Sequence, residues 1–382
     1  MVRANIKGEL LTWARERAGL SSDDLAVRFP KLELWERDRS KPTFKQLESF
    51  AKVTHAPIGY LFLQAPPDEP PPIPDFRTLA GRPVRRPSPN LLEMIYACQL
   101  RQDWFRDNAL AEGEEPLSFV GTMRTDTEIV EAAARIRAAL NFDLDARRTC
   151  RTWEEALRLF IGHADGAGVL VMCSGIVMNN THRKLDPDEL RGFALSDDIA
   201  PLVFINGADS KSAQMFTLAH ELAHLWLGQT ALSNSSVASR EQNAVETWCN
   251  RVAAELLAPL AVVRYELNRD EGLQQTVQRL SRRFKVSTLV ILQRLRDARR
   301  LTWDEFNEAY LAEKRRLADL PRPKGGGDFY ATTGSRYSKR FARALIGSTL
   351  EGRTSYRDAY QLLGISKGET FQELGRVLEL NI

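Results

Sequence analysis

Apolar positions at the start of the chain recur with helical spacing. Leu10, Leu11, Ala14 and Ala18 lie along one face, Gly19 stops the run, and Ser21-Ser22-Asp23-Asp24 can cap the next helix. Residues 1–65 are therefore expected to form a compact all-α domain of short helices. The proline-dense stretch Ala65-Pro66-Pro67-Asp68-Glu69-Pro70-Pro71-Pro72-Ile73-Pro74 cannot continue a helix and reads as an extended spacer. Helical spacing returns over Pro89 to Asn108, Asp126 to Leu140 and Trp153 to His163. The period then changes. Gly168 to Met172, Gly192 to Leu195 and Pro201 to Asn206 read as strands. An almost wholly apolar helix over Phe216 to Gly228 follows, and further helices are expected from about Ala244 to Leu257 and through Gln274 to Asp297. Pro321 and Gly325-Gly326-Gly327 open a tail. The pattern predicts an α+β chain in four parts: a helical domain at 1–65, a linker with bridging helices at 66–145, a domain with a small sheet at 146–310, and a C-terminal, mostly helical region at 311–382.

Within the apolar helix stands His220-Glu221-Leu222-Ala223-His224. Histidines four apart lie one above the other on a helix face, so both imidazoles can meet one ion, with Glu221 beside them. Ala219 and Ala223 leave room for close packing. Zinc in a hydrolytic site takes three protein ligands and leaves a fourth position for water, so one more donor is needed. Glu246 is the best candidate. It falls at the edge of the apolar stripe Cys249, Ala253, Leu256, Leu257, whereas Glu255 points about 180° away. A carboxylate on that side needs a partner, and a metal would supply one. The alternative is a partly exposed surface carboxylate. Asn250, one turn on, shares the face and can hydrogen-bond a ligand.

These residues, with the strand ending Phe204-Ile205-Asn206, resemble the ImmA/IrrE-like family of zinc metallopeptidases over roughly Gly168 to Pro259. Cys249 and Ala258 depart from the family's usual alanine and methionine. The resemblance implies a zincin-like fold, Zn2+ held by His220, His224 and Glu246, and Glu221 as general base. If the strand before the active helix is a sheet edge, Val203, Phe204, Ile205 and Asn206 would pair with an extended substrate. An oxyanion donor is also expected, with His182, Tyr330 and Tyr337 as candidates.

The N-terminal segment resembles an Xre-type helix-turn-helix through Leu11, Ala14-Arg15, Gly19-Leu20-Ser21, Leu25-Ala26, Trp35-Glu36, Pro42-Thr43 and Leu47. Lys31, Arg37, Arg39, Lys41 and Lys45 are candidate phosphate contacts. The chain between Ala26 and Trp35 is short for a turn plus a full recognition helix, so DNA binding stands beside a role in protein contacts. Asp75-Phe76-Arg77-Thr78 reads as a docking anchor.

Lys and Arg number 53 against 50 Asp and Glu, a net charge of +3, so bulk charge does not call for nucleic acid. The four cysteines are scattered without a CxxC pair, which argues against a disulfide framework or zinc ribbon. With no apolar signal region or uncharged span, a cytoplasmic location without a membrane partner is expected. The family resemblance implies a zinc endopeptidase that cleaves a regulatory protein, commonly a repressor or antitoxin, in a stress, DNA-damage or mobile-element response. The rival is a DNA-binding transcriptional regulator whose metallopeptidase-like domain acts as sensor or scaffold.

Overall fold

The computed structural model describes residues 3–75, 86–233, 244–268, 270–319 and 336–378. The chain divides into two compact units, Met1–Pro72 with Pro83–Tyr96, and Ile73–Arg82 with Ala97–Ile382. The sequence-based boundaries at 145 and 310 thus fall inside one unit.

The first unit contains α1 (Gly8–Arg17), α2 (Ser22–Ala26), α3 (Leu32–Glu36), α4 (Phe44–Thr54) and a 3-10 turn at Ile58–Phe62. Capping boxes start α2, through Ser21 and Asp24, and α4, through Thr43 and Gln46. Leu10, Leu11, Trp35, Leu47, Phe50 and Leu61 fill its core. α3 has only five residues, in keeping with the short spacing. Lys31, Arg37, Arg39 and Lys45 are exposed. Lys41 is drawn into the packing instead: its Nζ lies 2.6 Å from Asp38, whose carboxylate accepts the Gly8 N–H at the start of α1. The proline-dense stretch is not a free spacer. Arg17 donates to Glu69 at 2.9 Å, which fixes that stretch to the first unit.

α5 (Pro89–Ala111) contributes residues to both units. The second unit continues with α6 (Ile129–Ala139), α7 (Leu144–Thr149) and α8 (Trp153–Gly166) before β1 (Leu170–Ser174), β2 (Ile176–Val177), β3 (Asn180–Lys184), β4 (Gly192–Leu195) and β5 (Leu202–Asn206). Then come α9 (Lys211–Trp226), β6 (Ala231–Ser233), α10 (Ala244–Leu257), α11 (Leu260–Tyr265), α12 (Leu273–Phe284), α13 (Thr288–Asp297) and α14 (Trp303–Ala318). Last are α15 (Lys339–Leu350), α16 (Tyr356–Leu363) and α17 (Gly368–Val377). The architecture is α+β.

The main sheet has the order β1-β5-β4-β6, with β1 and β5 parallel and the other neighbours antiparallel. This corrects the expected substrate strand. Val203, Phe204, Ile205 and Asn206 belong to β5, which is buried throughout and hydrogen-bonded on both sides, so its backbone is spent on β1 and β4. The outer strands are β1 and β6, and other parts of the chain meet both. Cys173 of β1 donates its N–H to the Arg336 carbonyl at 3.0 Å, and Leu232 of β6 donates to the Pro74 carbonyl at 2.9 Å.

The C-terminal helices are built into this unit. Asn179, at the left-handed tip of the β2–β3 hairpin, donates its amide to the Leu363 and Gly364 carbonyls, both at 3.0 Å. Arg101 of α5 donates to the Leu362 carbonyl at 2.8 Å, and Asp165 at the end of α8 accepts from the Ser338 hydroxyl and the Arg340 N–H. No described helix is long and apolar enough to cross a membrane.

Candidate metal centre

α9 is buried along its whole middle, from Gln214 to Trp226, as its apolar composition requires. Ser210 caps its start by accepting from the Ala213 N–H. Gly228, at φ +69, ends it: the Gln229 N–H bonds the His224 carbonyl and the Gly228 N–H bonds the Leu225 carbonyl, both at 3.0 Å. This left-handed cap closes the helix one turn beyond the second histidine. The helix that the sequence places over Phe216 to Gly228 therefore starts five residues earlier, at Lys211.

α10 packs against α9 and α6. Its far end is held by guanidinium groups. Arg137 donates to the Glu255 carbonyl at 3.0 Å, Arg147 to the Leu257 carbonyl, and Arg294 to the Ala258 carbonyl at 2.8 Å. Cations there complement the helix dipole and satisfy carbonyls that have no partner within the helix. Glu255 pairs with buried Arg294, so it faces away from Glu246 as the helical rotation requires. Glu246 lies in the first turn, where the dipole favours an anion.

His220, His224 and Glu246 meet between the two helices, all buried. Nε2 of His220 and Nε2 of His224 are 3.1 Å apart, and the Glu246 oxygens lie 3.2 Å from the first and 3.0 Å from the second. Two imidazole nitrogens that close cannot direct lone pairs at one another without a shared proton or a cation between them. Around a tetrahedral ion with bonds of about 2.0–2.1 Å, neighbouring donors stand about 3.3 Å apart. The three separations fit that geometry within a few tenths of an ångström. The residue types and spacing are compatible with zinc.

Electrostatics favour a cation in the same place. Burial works to raise the Glu246 pKa, yet hydrogen bonds from both histidines and their charge outweigh it and hold the carboxyl at about 2. Burial lowers the His224 pKa against the opposing hydrogen bond and charge of Glu246, a direction that favours the neutral imidazole a metal requires. Glu221 behaves in the opposite way: burial pushes it up to about 8, and the nearby Glu246 charge adds to this, against the opposing influence of His220. One Glu221 oxygen, Oε1, is buried without a hydrogen-bond partner among the described residues. A polar atom left so is a natural seat for a water or a ligand group.

Two contributors were not legible in the sequence. Ser233 of β6 is fully buried, and its hydroxyl lies 3.4 Å from Glu221 Oε2 and 3.3 Å from His224 Nε2. Gly192 of β4 faces Ser233 across the sheet, and a Cβ there would lie 2.5 Å from the Thr217 methyl and 3.3 Å from Glu221 Cγ. Its missing side chain lets the active helix approach the sheet. Ser233 belongs to no readable motif because β6 is only three residues long, and the strand pattern that includes Gly192 does not show what that glycine faces. Asn250 follows Glu246 by one turn on α10 and is partly buried. The expected oxyanion donors are not brought to the cluster. Tyr337 is buried with its hydroxyl donated to the Leu363 carbonyl, His182 is exposed on β3, and Tyr330 lies outside the described residues. Phe76, Arg77 and Thr78 of the expected anchor also lie outside them. A cavity of about 560 Å³ bounded by Arg137, Phe142, Arg148, Val262, Arg283 and Phe284 shares no residue with the cluster.

No curated protein and no solved structure matches the chain. Residues 337–376, which hold α15 to α17, match a domain of unknown function, DUF8813. Residues 164–296, which carry every member of the histidine and glutamate cluster, match the peptidase family described as the IrrE N-terminal-like domain, so this part of the chain is a domain of metallopeptidase type.

Proposed function

We propose that the chain is a zinc-dependent endopeptidase in which His220, His224 and Glu246 hold the metal and Glu221 is the general base. The convergence of three buried donor atoms within 4.8 Å of one another, one residue from a buried glutamate, carries this reading. Bound zinc would supply Lewis acidity and lower the pKa of a water at its open position. The protein side of the chemistry is proton handling. A cation held at the cluster would favour the ionised form of Glu221, and as a carboxylate whose Oε1 has no hydrogen-bond partner among the described residues it accepts a proton from the attacking water and delivers it to the departing amine. Ser233 donates to the other oxygen and keeps the carboxyl in one orientation.

With β5 interior, the outer strand beside the cluster is β6, whose Ser233 touches Glu221 and His224. An extended chain paired along that edge would bring its carbonyls past the site, which favours unstructured segments over folded ones. The family likeness extends the proposal to a regulatory protein substrate, a repressor or antitoxin. DNA contact by the first unit through Lys31, Arg37, Arg39 and Lys45 is a further part of it. Incubation of the zinc-loaded chain with β-casein, an unstructured protein, tests the reaction. Cleavage by the wild type and a loss of at least about 100-fold in Glu221→Gln at equal zinc content are expected, in line with the usual contribution of a general base. Equal cleavage by both would remove Glu221 from the chemistry.

A further inference from the structure

The edge of β6 is not open. Pro74 accepts the Leu232 N–H at 2.9 Å, and Asp75 bridges Leu232 in the parallel sense. The stretch follows directly on Pro72, where the first unit ends, and Ile73 is 7% exposed, so it is seated by an apolar anchor as well as by backbone pairing. Leu232 is the neighbour of Ser233, whose hydroxyl lies 3.4 Å from Glu221 and 3.3 Å from His224. A peptide drawn along this edge to the candidate site would need the Leu232 donor that Pro74 already occupies.

We infer that Ile73–Asp75 is a tethered strap that occupies the substrate edge of β6 and must leave before an extended peptide can bind. The inference rests on the endopeptidase reading above. Its chemistry suits a reversible occupant. Pro74 has no N–H, so at that position the strap can accept from the edge but cannot donate to it. The prolines at 70–72 limit the extra conformational freedom the released segment would gain. Access to the site then depends on the fraction of molecules with the strap released, and any peptide that spans β6 is weakened by that fraction. A ligand that reaches only the metal is not.

Two hydroxamates separate these cases on the zinc-loaded full chain. Acetohydroxamate engages the metal alone, whereas the capped tripeptide hydroxamate Z-Pro-Leu-Gly-NHOH also needs the edge. By calorimetry, Ile73→Ser is expected to bind the tripeptide hydroxamate about tenfold more tightly than wild type, with acetohydroxamate affinity unchanged. A second variant reads the strap itself. With Ile73→Cys, the thiol introduced at a position only 7% exposed should react faster with iodoacetamide, read by peptide mass spectrometry, when the tripeptide hydroxamate is bound and not when acetohydroxamate is bound. Tripeptide binding that neither tightens in Ile73→Ser nor speeds that labelling, alongside normal acetohydroxamate binding, overturns the strap and leaves the metal site standing. Failure of the zinc-loaded chain to bind either compound removes the endopeptidase reading, and the strap with it.

Discussion

Glu246 and Glu221 are both buried carboxyls within one cluster, and their surroundings drive them apart. Both histidines lower one, and burial leaves the other protonated well above its ordinary range. Removing the first should empty the site: Glu246→Ala is expected to lose bound zinc by elemental analysis, while Glu221→Gln keeps about one zinc per chain because its side chain is not among the three donors. Retained zinc in Glu246→Ala would exclude it as a ligand. The Glu221 shift also fixes a pH dependence for the metal-free protein. A carboxyl whose folded pKa is about 8 holds its proton in the native state at pH 7, where the unfolded chain, with the ordinary value of 4.5, has lost it. The folded state then binds more protons, so stability falls as pH rises toward 8. His224, whose folded pKa lies below its ordinary 6.5, opposes the trend only through the residual protonation of the unfolded imidazole near pH 7, a smaller contribution that fades toward pH 8. The midpoint of thermal unfolding in excess chelator should drop between pH 7 and 8, and Glu221→Gln should flatten the drop.

At the scale of elements, the active helix meets the sheet at Gly192. A methyl group there would press on the Thr217 side chain at 2.5 Å and on the Phe204 carbonyl at 2.8 Å. Gly192→Ala is therefore expected to cost about 1–3 kcal/mol, the usual penalty for overpacking, read as a lowered denaturation midpoint. A neutral result would mean that α9 can move off β4 without loss. Much of the element pattern was legible in advance. The α9 motif, the strands β1, β4 and β5, and the rotation that puts Glu246 toward the histidines and Glu255 away all follow from periodicity. What periodicity cannot carry is order within the sheet. β5 is apolar on both faces, which marks a buried strand, and yet the run by itself does not say which strands flank it, because strand neighbours are set by contacts far apart in sequence. β6 is too short to show a period at all, so Ser233 and the occupied edge came only from the fold.

For the molecule as a whole, the two-unit division places the C-terminal helices with the metallopeptidase-type domain. Asn179, Arg101 and Asp165 each bond to backbone or side chains between Ser338 and Gly364. A chain ending before residue 336 should therefore take hydrogen-bond partners from buried Arg101 and from partly buried Asn179 and Asp165. It is expected to unfold at lower temperature and to be cut faster by trypsin in the second unit. Unchanged melting would show that α15 to α17 are an appendage. The central claim is that the chain cuts protein, and it is met most directly by sequencing new protein N-termini in cells that express wild type or Glu221→Gln at equal levels. The account predicts N-termini present with wild type and missing with Glu221→Gln, together marking one or a few cut sites in a regulatory protein. Identical sets of N-termini from the two would contradict it.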